Sequence, residues 1–410
     1  MSKGGFRRAV LKVFGGERRQ SITVPIFAVL LSLIAASILL LALGKNPITA
    51  FLGMLRGCGI VPKANYAANA GMLTDFMSFL GWLAPMTFAA LAVAVAFKTG
   101  LFNIGISGQM LLGGFFATVV ALECTESIPT PLRLVLVLAI GIASGAAVGG
   151  LIGFLKYRFN INEVVSSIML NYIIQYVTKF FIQMYYVDPV SRQSRYIDAS
   201  WRLTVTDVQA FGVKFDIPLA VILVIPAILI VRLILDRTKL GYEMKTVGLT
   251  RSAARYAGMN VGKNMVLSML ISGALAGLAG VSYYLGYYSS IQPGVLAGMG
   301  FDSIAVSLLG NSNPVGIFFS SFLITIVSKG ATYMSSSASI PQEIAQVITG
   351  LILLFSACGV VMRSMLARLG EREREYQKSL AAPSESVSAP TEAERPDKPT
   401  DTADAKGGDR

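Results

Sequence analysis

Residues 98–109 read KTGLFNIGISGQ, and oily runs flank them: GWLAPMTFAALAVAVAF before and MLLGGFFATVVAL after. Each flank is apolar enough to sit in lipid. Between them stand Lys98, Asn103, Ser107 and Gln109, interleaved with Gly100, Gly105 and Gly108. Asn103 and Gln109 lie six residues apart, which one straight helix face does not hold together, so the glycines are expected to break the helix. Irregular backbone at membrane depth is tolerated only where protein or a wet cavity satisfies its polar groups. The stretch therefore calls for a membrane bundle with a polar interior.

The remaining sequence agrees. Of 410 residues, 54% are hydrophobic and only 14% charged, where a soluble domain would carry about a quarter charged residues. Apolar runs fall at about 22–43, 81–97, 101–122, 132–155, 163–186, 216–234, 264–288, 301–310, 314–330 and 341–361. Most are near the ~20 residues that a helix needs to cross a bilayer. The expected fold is all-α, a polytopic transmembrane helical bundle of about 8–10 membrane segments. Runs 301–310 and 314–330 are too short for two comfortable spans. Gly310-Asn311-Ser312-Asn313-Pro314 splits them with a strong turn signal, so a broken or re-entrant helix pair, or a tight hairpin, is expected there. The basic start MSKGGFRRAVLKVFGGERRQ leads into the first run without an A-x-A-like cleavage site, and that run is read as an uncleaved span.

Several chemistries drop out. The chain has no histidine, the commonest general base and metal ligand. Cys58, Cys124 and Cys358 are far apart and form no CxxC, so neither a zinc nor a redox motif is supported. Cys58 and Cys124 both fall on the expected external side, which leaves a disulfide between them as a side expectation. The nearest string to a Walker A loop, Gly258 to Asn264, has the wrong spacing and no Ser or Thr after Lys263. Neither a Ser/His pair nor a carboxylate couple occupies one span. The chain is expected to be no enzyme, and no cofactor is expected to bind it. The net charge of +12 is what positive-inside loops supply, so no nucleic acid partner is expected. Acids inside the spans are scarce, Glu163 and Asp302 only, and an ion-driven carrier usually needs more.

Lys and Arg set the orientation. They gather before residue 20, at Lys156 and Arg158, between Arg232 and Lys263, and at Arg363 and Arg368, which places both termini in the cytoplasm. Segments 44–80 and 187–215 then fall outside, with enough apolar and aromatic residues to form structured caps. Three regions follow: a basic cytoplasmic segment 1–21, a transmembrane domain 22–362 and a cytoplasmic tail 363–410. The tail is rich in Pro, Ser, Thr and charge, which disfavours a packed core.

Amides mark the interior. In NEVVSSIMLNYIIQ, Asn171 and Gln175 lie four apart on one helix face, with Ser167 under Asn171. Neutral amides suit a neutral, hydroxyl-rich solute; they equally suit hydrogen bonding between helices. Gly141, Gly145, Gly149 and Gly153 recur every four residues, as do Gly273 and Gly277, and such ridges let helix backbones approach closely. In the loop over 236–263, Thr250 is placed to cap a short basic helix from Arg251 that Gly258 ends. A motor subunit could push against such a helix.

KTGLFNIGISGQ resembles the GLFNIGAEGQ-type motif of permease subunits in the simple-sugar and nucleoside branch of bacterial ABC importers. NEVVSSIMLNYI, TVGLTRSAARYAGMNVGKN and GFDSIAVSLLGNSNPVGI resemble the same family in the same order, and the four span about residues 80–360. The departure is Ser107, where the family often has Glu. The resemblance is strongest to the larger permease of nucleoside importers. It implies a multi-pass bacterial plasma-membrane subunit in a lipid bilayer, working with a cytoplasmic ABC ATPase that uses ATP and Mg. It further implies a second related permease and an extracellular substrate-binding lipoprotein. It places the ATPase coupling helix at Thr246, Gly248, Thr250, Arg251, Ala254, Arg255 and Gly258. It makes Phe102, Asn103, Gln109, Asn171 and Gln175 the lining of the substrate path. The solute is a nucleoside on this reading, with a pentose or hexose importer and an ion-coupled carrier as the alternatives.

Overall fold

The computed structural model describes residues 17–355, apart from 67–69, 125–127, 211, 342, 345 and 353, together with Arg368. The basic segment up to residue 16, most of the tail from 363 and Cys358 lie outside the described residues.

The chain opens with α1 (Glu17–Ala42) and a short α2 (Pro47–Gly57), which the Asn46 side chain starts by accepting from Ile48 N–H. Then come α3 (Met72–Lys98), α4 (Ile106–Glu123), α5 (Thr130–Phe159) and α6 (Glu163–Phe181), the last running on as a π-helical stretch Ile182–Tyr186. After the hairpin β1 (Thr204–Ala210) and β2 (Val213–Pro218) follows α7 (Ala220–Arg237). The loop helices are α8 (Lys239–Leu249) and α9 (Arg251–Tyr256). Next is α10 (Val261–Val281), which runs on as a π-helical stretch Ser282–Tyr288. A short α11 (Met299–Leu309) and α12 (Pro314–Ala338) follow. Among the described residues, seven helices are long and apolar enough to cross a membrane: α1, α3, α4, α5, α6 with its extension, α10 with its extension, and α12. Helix α7 ends in Arg232, Asp236 and Arg237 as it meets the basic loop.

The bundle is apolar outside and more polar within. On α6, Val165, Met169, Tyr172, Ile173 and Tyr176 are exposed, while Ser166, Ser167, Asn171 and Thr178 are buried. This inverts a soluble helix, because lipid welcomes the large apolar side chains and the interior supplies hydrogen bonds. Helix α3 is buried from Leu83 to Ala96 and forms the centre.

The glycine ridges pack as their spacing predicts. Gly145 and Gly149 of α5 lie against Gly273 of α10 so closely that a methyl on Gly273 would fall 2.2 Å from Gly145 O. Gly113 of α4 joins them, since a methyl there would fall 2.9 Å from Gly277 Cα.

Three expectations change in the fold. Helix α12 runs on to Ala338, so only α11 is short; its 11 residues span about 16 Å, half of a bilayer core. Asn313 caps α12 by accepting from Val315 N–H, which places the break where the turn signal lies. The segment 187–215 contributes a hairpin, paired from Thr204↔Pro218 to Ala210↔Val213, that no periodicity announced. Thr74 donates to Lys214 O, seating this hairpin on the start of α3. The Cys58–Cys124 disulfide is overturned: both thiols are free. Cys58 is packed with Phe79 and Leu83, and burial pushes its thiol up to about 12. Cys124 packs in a different cluster, around Trp201.

Candidate translocation site and coupling loop

The quoted break is where α3 ends and α4 begins. Gly100 adopts φ +68° and turns the chain back into the bundle. Asn103 then reaches the depth of Ala92, about 9 Å inside the end of α3 at 1.5 Å per residue, because both bond to Ser272. Asn103 Nδ2 donates to Ser272 Oγ at 2.9 Å, and Ser272 Oγ donates to Ala92 O at 2.7 Å. Asn103 also donates to Gln109 Oε1 at 3.1 Å and accepts from Gly105 N–H at 3.0 Å. Six residues apart in sequence, the two amides meet because the helix does not continue between them.

Asn171 of α6 closes the break from the other side. Its Oδ1 accepts from Gly108 N–H and its Nδ2 donates to Ile104 O, each at 3.0 Å. A methyl on Gly108 would fall 2.5 Å from Asn171 Oδ1, so this contact needs glycine. Ser107 donates to Ala297 O at 2.9 Å, tying the break to the approach to α11. Asn103, Gln109 and Asn171 are buried. Phe102 is partly buried and stacks on Phe97 at 5.2 Å. Gln175 stands apart from the others and donates to Gly294 O at 2.7 Å. In this conformation Asn103, Gln109 and Asn171 hold the break together through contacts with protein.

The pocket nearest to a solute's chemistry lies elsewhere. It has a volume of about 260 Å³, and its walls include Tyr283, Tyr284, Tyr288, Gln193, Ser290 and Gln292. The tyrosines project from the π-helical stretch Ser282–Tyr288, a geometry found often at functional sites. The cap segment closes the pocket: Ser290 Oγ donates to Gln193 Oε1 at 2.6 Å, and Ser194 N–H donates to Ile291 O at 2.9 Å. None of the described residues that line it is charged. The signal for it is the run YYLGYY at 283–288, four rings in six residues inside an apolar span.

At the opposite end of α3 the loop forms the short helix its residues predict, although Thr250, at the N-cap position, makes no side-chain capping hydrogen bond. Thr250 breaks α8 from α9 with φ −155° and ψ 106°, and Gly258 at φ +75° ends the short helix. Thr246 O accepts from Thr250 N–H, and Ala254 faces inward, fully buried. Arg251 and Arg255 are exposed, and Leu249 and Tyr256 stand 85% and 94% exposed on either side of the helix. The loop is anchored by Lys245 on Asp236 at 2.6 Å and by Asn264 Nδ2 on Glu243 at 2.8 Å. Gly248 rests on the start of the break: a methyl there would fall 2.4 Å from Lys98 O. Arg251 reaches Gly100 O at 3.4 Å. The loop and the break thus share one backbone contact.

The profile of the branched-chain amino acid transport system / permease component family matches residues 76–357, from the start of α3 through the last described turns. This chain belongs to that family. Nucleoside ABC transporter permease protein NupB of Lactococcus lactis subsp. cremoris is 32% identical to the permease over 364 residues, 86% of this chain and 95% of that protein. Guanosine ABC transporter permease protein NupP of Bacillus subtilis is 32% identical, over 87% of this chain and 99% of that protein. Glucose ABC transporter permease protein TsgB13 of Haloferax volcanii is 25% identical, over 81% and 86%. The permease is a multi-pass membrane protein and a transport subunit.

Proposed function

We propose that this permease forms the translocation path of an ATP-driven ABC importer for nucleosides. The observation that carries the solute class is the uncharged pocket of three tyrosines, two glutamines and a serine. Aromatic faces suit stacking on a nucleobase, and amides and a hydroxyl suit its hydrogen-bonding edges. Similarity to permeases of nucleoside and guanosine transporters supports the same class.

On this reading a cytoplasmic ABC ATPase, using ATP and Mg, seats on α9, with its exposed Arg251, Arg255 and Tyr256, and on Leu249 at the end of α8. A second related permease completes the path, and an external lipoprotein delivers solute to the end that carries the hairpin. The basic loops then put both termini in the cytoplasm. Alternating access follows from differential stabilisation of two conformations by the motor. The amides Asn103, Gln109 and Asn171 hold the break in one conformation and, with Phe102 and Gln175, meet the solute in the other. The Gly100–Gly248 contact carries motion from the loop to that break.

The test is uptake of radiolabelled guanosine in cells with and without this gene, competed by adenosine, uridine, ribose and glucose. Loss of uptake on deletion, with competition by nucleosides alone, is expected. Unchanged guanosine uptake beside lost glucose or ribose uptake would move the permease to sugars, the reading that similarity to TsgB13 favours.

A further inference from the structure

A second cavity, of about 490 Å³, opens beside the half-helix α11. Phe301, Asp302, Ser328, Thr332 and Gln346 are among its walls, and Gly298 borders both this cavity and the tyrosine pocket. The two cavities therefore adjoin at Gly298.

Asp302 is the feature that asks for a ligand. It lies in the first turn of α11, and no hydrogen bond or ion pair joins its carboxylate to a described residue. An unpaired acid within a membrane bundle is costly to keep. Among the described residues that line the cavity there is no Lys or Arg to neutralise it. A metal is a poor occupant, because no cluster of three acidic, Cys or His side chains exists among the described residues. The other polar residues that line the cavity are neutral: Ser328, Thr332, Gln346 and Thr349.

An ionised carboxylate offers two acceptor oxygens and no donor. Its neutral complement is a pair of adjacent hydroxyls, each donating to one oxygen; acids hold ribose hydroxyls in this way in dinucleotide-binding folds. Hydroxyls and an amide opposite supply the donors and acceptors that a sugar's remaining oxygens need, and the half-exposed Phe301 ring offers a flat apolar face. We infer that Asp302 binds the 2′- and 3′-hydroxyls of a ribonucleoside on its way through the permease. The inference rests on the nucleoside reading and adds to it a preference for ribose over deoxyribose.

The experiment compares initial uptake of radiolabelled guanosine and 2′-deoxyguanosine by the complete importer, in cells lacking other nucleoside uptake. Wild type, Asp302→Asn, Asp302→Ser and Thr332→Val are compared, each normalised to its abundance in the membrane. Every strain carries the same external lipoprotein, so a change in the ratio of the two rates belongs to this chain. Asp302→Asn keeps the volume but loses one acceptor, and is expected to lower guanosine uptake about tenfold while changing 2′-deoxyguanosine uptake less than about threefold. Thr332→Val removes a partner of oxygens that both nucleosides carry and is expected to lower both rates alike, by about twofold to threefold; Asp302→Ser, with the same expected change of ratio, decides the matter if Asp302→Asn does not reach the membrane. At Asp302, equal loss of both substrates, or an unchanged ratio, would overturn the ribose contact while leaving nucleoside transport standing. Wild-type cells that import neither nucleoside would overturn the nucleoside reading and the contact with it.

Discussion

Two seams hold the middle of this bundle, and they are built from opposite materials. Between α5 and α10 there are no side chains at the closest points: methyls on Gly145 and Gly273 would fall 2.3 and 2.2 Å from each other's carbonyl oxygens. Between the break at residues 99–108 and helices α6 and α10, side chains make the joint, through Asn103, Gln109, Asn171 and Ser272. A glycine seam gains its energy from dispersion between close backbones and has one fitting position, because any slide drives atom into atom. An amide seam is directional but exchangeable, since its donors and acceptors can take water or solute partners without opening a void. The first suits a frame and the second a moving part.

The harshest way to break this contrast is to fill the frame. Gly273→Val and Gly145→Val put side chains where backbone already sits, so recovery of intact complex from membranes should fall to background. Gly150→Val, one residue off the ridge, meets only the Leu270 side chain at 3.7 Å and should be recovered within about twofold of wild type.

The amide seam should fail differently. Asn103→Leu strands Gln109, Ser272 and Gly105 N–H, at about 1–3 kcal/mol for each group left unpaired. The complex should assemble with a lower thermal midpoint and lose at least about tenfold of its uptake. Wild-type uptake by that variant would reduce the break to packing and erase the distinction between the seams.

A smaller effect sharpens the link between loop and break. Gly248→Ala pushes a methyl towards Lys98 O, 2.4 Å away. It should leave the frame intact and reduce uptake by about threefold to tenfold, a change of about 1 kcal/mol in the coupling between sites. Full uptake would show that the loop drives the bundle by another route.

Smallest for the fold itself is Leu249→Ser with Tyr256→Ser. Both residues are exposed, so the stability of the permease should stay within about 0.5 kcal/mol of wild type, while co-purified ATPase drops. Equal ATPase recovery would remove α9 as its seat.

How much of the site was legible depended on which residues carried it. Asn103 and Gln109 stood out because an amide inside an oily run is costly and must have partners; what those partners are was not readable, since Ser272 is 169 residues from Asn103. Thr250 and Gly258 gave the ends of the loop helix away, because starts and stops are local chemistry, although Thr250 accepts from Ala254 N–H through its backbone carbonyl and makes no side-chain cap. The tyrosine pocket was passed over, as aromatic rings in a span also read as ordinary lipid or core contact. Asp302 was visible as a scarce acid but had no cavity until α11, α12 and the turns after 343 were placed around it.

By itself, then, the sequence determined the class of fold, the family, the position of the break and the loop helix, and the faces where glycines allow contact. The family came through the resemblance of four ordered motifs; the rest follows from short-range rules, since lipid demands long apolar helices, unsatisfied backbone demands amides, and helix ends demand caps. Only the tertiary structure decided that α12 is full length while α11 is a half-helix, that 204–218 forms a hairpin on α3, that Cys58 and Cys124 stay free, and that Gly248 touches the break. Each of those depends on contacts between residues far apart in the chain. Hydropathy and periodicity are sums over neighbours, and they carry no record of which helix a given face will meet.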